Sequence, residues 1–234
     1  MTALLFALLE ATWPPAARNA AGPFTIRDGQ GGGKRVSAAT ADGAWSGVDI
    51  DRAETAMTGL GQPPLFMIRD TDTALDKALA TRGYRLVDPT ILYAAPITSL
   101  GPAPDPMTAF PHWPPLAIAE TIWADGGIGP ARLAVMHRVA EPRAAILGRS
   151  RDRPSGAAFI AVTASDAMLH ALEVPASQRR QGSGANILRA AAAWAALQGA
   201  ERLVLAVTAA NAPARALYAS LGMQDVGRYH YRAK

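Results

Sequence analysis

Residues 172–194, LEVPASQRRQGSGANILRAAAAW, have the pattern of a short apolar strand, a glycine-containing loop and a long helix. Gly182 and Gly184 allow the loop to turn its N–H groups inward and a ligand to approach without meeting a Cβ. The helix, predicted from about Ala185, brings unpaired N–H groups and the positive end of its dipole to the same point. The stretch therefore predicts a binding site for a phosphate or pyrophosphate.

Two further features separate this stretch from an ordinary tight turn. Arg179 and Arg180 directly precede the glycines and would add positive charge beside an anion. Downstream, an apolar strand predicted over residues 202–207 leads into NAPARALYASLGM, residues 211–223.

Together the two segments resemble the GNAT superfamily of acyl-CoA-dependent N-acetyltransferases. In that family a strand ending in valine leads into an Arg-x-x-Gly-x-Gly/Ala loop that holds the pyrophosphate of coenzyme A. The residues that match the two family segments are Val174, Arg179, Gly182, Gly184, Asn211, Ala214, Tyr218, Leu221, Gly222 and Met223, with Met in place of the usual Phe.

The resemblance implies an α/β (α+β) fold of GNAT type, in which helices flank a mixed, mostly antiparallel central sheet. It also implies an N-acetyltransferase that moves an acetyl group from acetyl-CoA to a primary amine by direct attack in a ternary complex. The acceptor could be a small molecule or a protein amine, and another acyl-CoA could serve as donor. A catalytically silent sensor or scaffold that binds coenzyme A is the alternative from a different class.

The resemblance also assigns a set of cofactor-binding residues. In the family, backbone groups at the positions of Leu172 and Val174 hold the pantetheine arm, and the following loop binds the pyrophosphate. The expected cofactor-binding residues are Leu172, Val174, Arg179, Arg180, Gln181, Gly182, Ser183, Gly184, Ala185 and Asn211. Asn followed by Pro213 also suits the N-cap of a helix, so Asn211 can serve both purposes.

Tyr218 and Glu173 are the candidate catalytic residues. Tyr218 matches the family tyrosine that protonates the leaving thiolate, although an aromatic residue packed between helix and sheet is the simpler alternative. Glu173 would take the proton of the amine directly or through water. Strand alternation puts it opposite Leu172, so it could equally be a solvated or ion-paired carboxylate. His170, predicted on the Leu172 face, is the competing base, or else a hydrogen-bonded core histidine.

The chain divides into three predicted parts. Residues 1–97 form a degenerate GNAT-like N-terminal half, because a helix, Gly83 and a strand resemble the helix, Gly222 and strand near the C terminus. Residues 98–115 carry six prolines and are predicted to be a linker. Residues 116–234 are predicted to be the acetyl-CoA-binding GNAT catalytic domain.

Composition excludes several classes of function. The chain has no cysteine, which removes disulfides, thiolate nucleophiles and Cys-based metal sites. His112 and His137 lack partners at metal-ligand spacing, so no metal is expected. The net charge of +4 is spread over scattered arginines, which argues against a nucleic-acid surface. No apolar run reaches the roughly 18 residues of a membrane span. We expect a cytoplasmic protein that contacts no membrane. The sequence is compatible with a monomer or an oligomer.

Several elements are predicted from local pattern alone. The run DGQGGGK, residues 28–34, is not a P-loop, because Asp28 replaces the first glycine and Arg35 follows the lysine. It is predicted to be the flexible loop of a hairpin over residues 24–40. A helix over residues 49–59 would be capped by Asp49 or Asp51. Residues 84–87 and 91–95 are predicted strands, and the C-terminal GRYHYR is predicted to be an edge strand.

Overall fold

In the computed structural model, which describes residues 2–234, helices pack on both faces of an eight-stranded sheet. The helices are α1 (Thr2–Thr12), α2 (Lys34–Ser37), α3 (Gly47–Gly59), α4 (Thr73–Thr81), α5 (Ala117–Asp125), α6 (Pro130–Arg138), α7 (Ser183–Leu197) and α8 (Ala212–Ser220). The strands are β1 (Ala17–Ala21), β2 (Phe24–Asp28), β3 (Thr40–Ala41), β4 (Leu65–Arg69), β5 (Arg85–Pro96), β6 (Ala109–His112), β7 (Arg143–Ser150), β8 (Arg153–Thr163), β9 (Asp166–Glu173), β10 (Arg202–Thr208) and β11 (Gln224–Ala233).

The strand order of the large sheet is β4-β11-β5-β10-β9-β8-β7-β6. Within the described residues β9 and β10 are the one parallel pair, and the other neighbours are antiparallel. The predicted mostly antiparallel mixed sheet is confirmed. The pairing of β9 with β10 ends at Leu169 and Leu205, so the remainder of the two strands diverges. The small sheet is β1-β2-β3.

Alternation along the strands divides the core into two layers. Leu203 and Leu205 of β10 pack beneath α7, in the same cluster as Leu188. Val204 points to the opposite face and joins a cluster with Leu5 of α1. Helices α5 and α6 cover that same opposite face over β7 and β8. The α7 and α8 helices therefore lie on one side of the sheet, and α1, α5 and α6 lie on the other.

Two helix ends in the chain have the same geometry. Gly83 after α4 and Gly222 after α8 both adopt positive φ, at 83° and 78°. In each case the next residue donates its N–H back into the helix, to the Leu79 carbonyl at 3.0 Å or the Tyr218 carbonyl at 3.1 Å. Glycine suits this helix-closing turn because it carries no Cβ.

The strand pairing repeats with the same displacement along the chain that relates the two helix ends. Phe66 pairs with Arg232. Moving Phe66 forward by the separation between Gly83 and Gly222 gives Leu205, and moving Arg232 back by the same separation gives Tyr93. Leu205 and Tyr93 are also a pair. The bridge of Ala39 with Phe66 is parallel, as is the pairing of β9 with β10, although its register does not follow the same displacement. An approximate two-fold axis thus relates β4-α4-β5 to β10-α8-β11. The second strands of the two units, β5 and β11, pair with each other.

Residues from all three predicted parts contribute to one sheet. Strand β5, from residues 1–97, lies between β10 and β11 of residues 116–234. The segment 98–115 supplies β6, which pairs with β7 at the edge of the sheet.

Four local predictions need correction. Helix α3 begins at Gly47, and Asp49 caps it from the first turn by accepting hydrogen bonds from the N–H and hydroxyl of Ser46. The two strands expected over residues 84–95 form the continuous β5, which accommodates Asp88 at a φ of 46°.

The hairpin predicted over residues 24–40 is shorter than expected, because α2 occupies residues 34–37 and β2 pairs mainly with β1. The C-terminal β11 lies inside the sheet between β4 and β5, so it is not an edge strand.

Candidate functional site

The first turn of α7 presents several hydrogen-bond donors that have no acceptor in the described residues. Gly182 occupies the N-cap with a φ of 82°, a conformation in which side-chain-bearing residues are strained. Among the described residues, the N–H groups of Ser183, Gly184 and Ala185 have no acceptor, and the turn contains no acidic residue. The Ser183 hydroxyl is buried there without a partner in residues 2–234. Buried polar groups normally have partners, so these donors indicate a ligand with acceptor oxygens.

A cavity of about 650 Å³ opens from this turn and extends between the end of β9 and α8. We refer to it as the α7 cavity. Its walls contain every predicted cofactor-binding and catalytic residue except Gln181. The Gln181 side chain is exposed and donates to the carbonyl of Ser177 at 3.1 Å. The structure therefore brings the predicted site residues together around one space.

Arg179 links the loop to the end of β9. Its Nε donates to the Val174 carbonyl at 2.9 Å, and its guanidinium lies 3.6 Å from the Glu173 carboxylate. Burial raises the pKa of Glu173, an effect that the charge of Arg179 opposes. A Cβ added at Gly126 would lie 2.6 Å from the Glu173 Cγ, so the carboxylate side chain packs directly on that backbone. Glu173 is both ion-paired and partly shielded from water.

Tyr218 is buried in the wall of the α7 cavity, 5.8 Å from the ring of Tyr93. Burial raises its pKa to about 12, so the phenol keeps its proton at neutral pH. No group in residues 2–234 hydrogen-bonds this hydroxyl at ordinary distance, which leaves it available to a ligand. Asn211 lines the same cavity and also caps α8 by accepting the Ala214 N–H at 3.2 Å.

A β-bulge lies at the point where β9 leaves β10. Ala157 pairs with Glu173 and Phe159 pairs with His170, so two residues of β9 oppose one residue of β8. Ala171, inside the bulge, has a φ of 51°. Its carbonyl accepts a hydrogen bond from the indole Nε1 of Trp123 at 2.8 Å.

The bulge overturns the predicted position of His170. An extra residue shifts the alternation of side chains, so His170 does not share the Leu172 face. It is buried on the α1 side, where its ring stacks on Trp13 at 4.9 Å. Its Nδ1 accepts from Arg35 at 3.1 Å, because a guanidinium can only donate, and its Nε2 therefore donates to Thr12 at 2.9 Å. Both ring nitrogens are occupied, so the interpretation of a hydrogen-bonded core histidine fits.

A second cavity, of about 270 Å³, lies on the opposite face of the sheet. Arg35, Thr208 and Tyr229 are among its lining residues, and we refer to it as the Arg35 cavity. Ala171 lines this cavity, whereas the next residue, Leu172, lines the α7 cavity. The diverging ends of β9 and β10 therefore separate two spaces that reach the same bulge from opposite sides.

Comparison with known proteins gives the family of this site. The sequence profile of the acetyltransferase (GNAT) family matches residues 114–223, which include the bulge, the α7 turn and Tyr218. The protein carries a GNAT acetyltransferase domain. This domain belongs to the GNAT family of acetyltransferases.

Relatives of this GNAT protein span nearly its full length. The chain is 27% identical over 244 residues to the uncharacterized N-acetyltransferase YobR of Bacillus subtilis, covering 97% of this chain and 96% of that protein. A GCN5-related N-acetyltransferase from Kribbella flavida shares its fold with a TM-score of 0.73 at 18% identity, covering 100% and 95% of the two chains. A tandem GNAT protein from the clavulanic acid biosynthesis pathway aligns with a TM-score of 0.64 at 13% identity, over 98% and 87%.

The first turn of α3 differs from the first turn of α7. Helix α3 precedes β4 as α7 precedes β10, but the carboxylate of Asp49 occupies its first turn. The guanidinium of Arg82 also donates to the Gly47 carbonyl at 2.8 Å. An anion at this turn would meet the carboxylate of Asp49, and Leu79 stands where α8 carries Tyr218.

Three residues that shape the GNAT site carry no sequence signal for that role. Trp123 and Arg35 reach it from elements distant in sequence, and Ala171 forms its bulge without any residue type that signals one. The resemblance points to this region through Leu172 and Val174 of the strand before the loop, with Glu173 between them.

Residues 2–234 contain no group of three or more His, Cys, Asp or Glu side chains placed to hold a metal ion. No helix in that range has the length and apolar character needed to cross a membrane.

Proposed function

We propose that this GNAT protein transfers an acetyl group from acetyl-CoA to a primary amine while both are bound. The observation that carries the proposal is the meeting of the α7 cavity and the Arg35 cavity at Ala171 and Leu172. Two reactants that enter from opposite faces would meet at the bulge without competing for one space. Holding them in that orientation supplies much of the catalysis, since direct transfer needs no covalent enzyme intermediate.

The residues of the α7 cavity fit coenzyme A. The free N–H groups of Ser183, Gly184 and Ala185 and the unpartnered Ser183 hydroxyl suit the oxygens of a pyrophosphate. Arg180, which is exposed beside them, adds positive charge. Backbone groups of Leu172 and the neighbouring strand end would hold the pantetheine arm.

When bound, the thioester supplies an activated acetyl carbon, and its C–S bond breaks as the new C–N bond forms. Glu173 would accept the proton that the amine loses, directly or through water. Its raised pKa makes it a stronger base than an ordinary carboxylate. Tyr218 would donate a hydrogen bond to the departing sulfur. Its pKa of about 12 lies well above the roughly 8.5 of an ordinary thiol, which favours hydrogen-bond donation over complete proton transfer.

The test is isothermal titration of acetyl-CoA into the wild type and two matched variants, Gly182→Asp and Gly182→Asn. Both side chains tolerate the positive φ of this position, and the space around it is open, so the two variants differ mainly in charge. We expect a carboxylate beside the α7 turn to abolish binding, whereas the amide weakens it modestly. Failure of the folded wild type to bind acetyl-CoA would overturn the proposal.

A second measurement separates an enzyme from a silent sensor. Release of free coenzyme A thiol is followed with a panel of amines, with longer acyl-CoA donors in parallel. An acetyltransferase releases thiol only when both partners are present. If the protein binds acetyl-CoA but no acyl-CoA donor gives amine-dependent release of thiol, the sensor or scaffold alternative is favoured.

A further inference from the structure

The Arg35 cavity has an excess of positive charge. Lys34, Arg35 and Arg132 line it, and Asp88 is its one lining carboxylate among residues 2–234. Asp88 is already paired with Lys34, whose Nζ lies 2.8 Å from its Oδ2. The guanidinium groups of Arg35 and Arg132 form no ion pair within the described residues. An opposite charge from a ligand would therefore meet two uncompensated cations.

Arg35 is held in a fixed orientation. Its Nη1 donates to the Nδ1 of His170 at 3.1 Å, the ring donates onward to Thr12 at 2.9 Å, and the Thr12 hydroxyl donates to the Leu8 carbonyl at 2.7 Å. Each donor in this series points away from the cavity toward α1. The series fixes the guanidinium before any ligand arrives, so binding costs little side-chain entropy.

Arg35 also has binding capacity left. Its Nε is buried and has no hydrogen-bond partner in residues 2–234. Burial works to lower its pKa, but the phenols of Tyr229 and Tyr231 outweigh burial and raise the pKa above its ordinary value. The side chain therefore stays charged. It also borders a neighbouring cleft shared with Arg27 and Arg69, so it stands between two spaces.

His170 adds no charge that would offset or compete with this cation. Burial and the adjacent Arg35 hold its pKa well below the ordinary value, so the ring is neutral near pH 7. Tyr231, which faces the same space from β11, offers no negative charge near pH 7 either, because burial raises its pKa well above its usual value.

We infer that the acceptor is a small amine carrying its own anionic oxygen group, and that Arg35 binds this anion while the amine points toward the bulge. The inference rests on the proposed acetyl transfer at the same site. A fixed guanidinium matches the paired oxygens of a carboxylate or phosphate. The volume of about 270 Å³ suits a metabolite-sized acceptor. His170 is a positioning residue in this arrangement, because it acts through Arg35.

The test compares amines in matched pairs with the full-length protein. One pair is 5-aminopentanoate and pentylamine; the other is aminoethyl phosphate and ethanolamine. We expect the anionic member of at least one pair to react with a higher kcat/KM, by about 10- to 100-fold, which corresponds to one charged hydrogen-bond pairing. Preference for the carboxylate or for the phosphate identifies which anion is bound.

Arg35→Gln should abolish the preference while leaving acetyl-CoA affinity unchanged, because Arg35 does not line the α7 cavity. Arg52→Gln, which removes an equal charge from the exposed surface of α3, should keep the preference. If Arg35→Gln does not fold, the exposed Arg132→Gln should still reduce the preference. Equal rates within both pairs, or a preference unchanged by Arg35→Gln, would overturn the inference.

Direct titration of each amine into the protein gives a readout that does not need turnover. Binding of the anionic amine that is lost in Arg35→Gln supports the inference even if acetyl transfer is not detected. Absence of acetyl-CoA binding would instead count against the proposed function. If the amine that lacks the anionic group binds with equal or higher affinity, the anion site is refuted, whereas the proposed acetyl transfer is not.

Discussion

The indole Nε1 of Trp123 donates a hydrogen bond to the carbonyl oxygen of Ala171, 2.8 Å away. This contact ties α5 to the bulge of β9, the strand segment that borders both cavities. The bulge exposes backbone groups that a regular ladder would use, and a positive φ at an alanine is unfavourable by itself. Trp123 therefore helps to keep the bulge between the two cavities in an otherwise unfavourable conformation.

Trp123→Phe should lower both stability and activity. The change removes the donor, leaves a buried carbonyl without a partner and opens a small cavity, so we expect about 2–3 kcal/mol of destabilisation in chemical denaturation. KM for acetyl-CoA should rise in the fraction that remains folded. Trp194→Phe on the far part of α7 is the control, and an equal rise in KM there would refute a specific role for the indole.

Tyr218→Phe should reduce kcat about 100-fold, in line with the loss of one positioned proton or hydrogen-bond donor. The ring and its packing on Tyr93 remain, so acetyl-CoA affinity measured by titration should not change. Tyr93→Phe deletes a hydroxyl from the adjacent ring and should keep most of the activity. A Tyr218→Phe enzyme with normal kcat would return Tyr218 to a purely packing role.

Glu173 should set the acidic limb of the pH–rate profile. Burial raises its pKa, so kcat/KM should begin to fall at a higher pH than for an exposed carboxylate, because the protonated form cannot accept a proton. Arg179→Gln removes the charge that opposes this effect and should move the limb to still higher pH. Glu173→Gln should have a low kcat/KM at every pH and lack the acidic limb. An unchanged profile would show that water or another solvent base accepts the proton of the amine.

Gly156→Ala should impair coenzyme A binding more than Gly148→Ala. The two glycines pair across β7 and β8, and a Cβ at either would lie 2.7–2.8 Å from the Ile187 side chain. Only a Cβ at Gly156 would also lie 2.7 Å from the Glu173 carbonyl, which is backbone that cannot rotate aside. We expect each variant to lose about 1–3 kcal/mol of stability from overpacking. Titration with acetyl-CoA should show weaker binding in Gly156→Ala only.

The sequence predicts the parts of this molecule whose signals are local. The Arg179–Gly184 loop and the segment from Asn211 to Met223 follow a fixed spacing, and their surroundings form one cavity. Helix ends such as Gly83 are equally local, since a glycine at positive φ closes the helix within a few residues.

The missed features depend on residues that are far apart in the chain or that carry no signal. Thr12 and Arg35 meet His170 only after folding, so no spacing rule connects them. The bulge at Ala171 reversed the expected face of His170, because period-2 alternation fails wherever one extra residue enters a strand. The position of β5 between β10 and β11 follows from pairing across about half of the sequence.

That position of β5 has a consequence for how the protein is made. The strand leaves the ribosome long before β10 and β11, the two neighbours that complete its hydrogen bonds, have been synthesised. Until then its apolar residues, from Ile91 to Ala95, have no sheet to enter. Closure of such distant pairs is slow, and unpaired strand edges invite association with other chains. We therefore expect the nascent protein to pass through a vulnerable interval that ends only when the ten residues of β11, Gln224–Ala233, pair with β5.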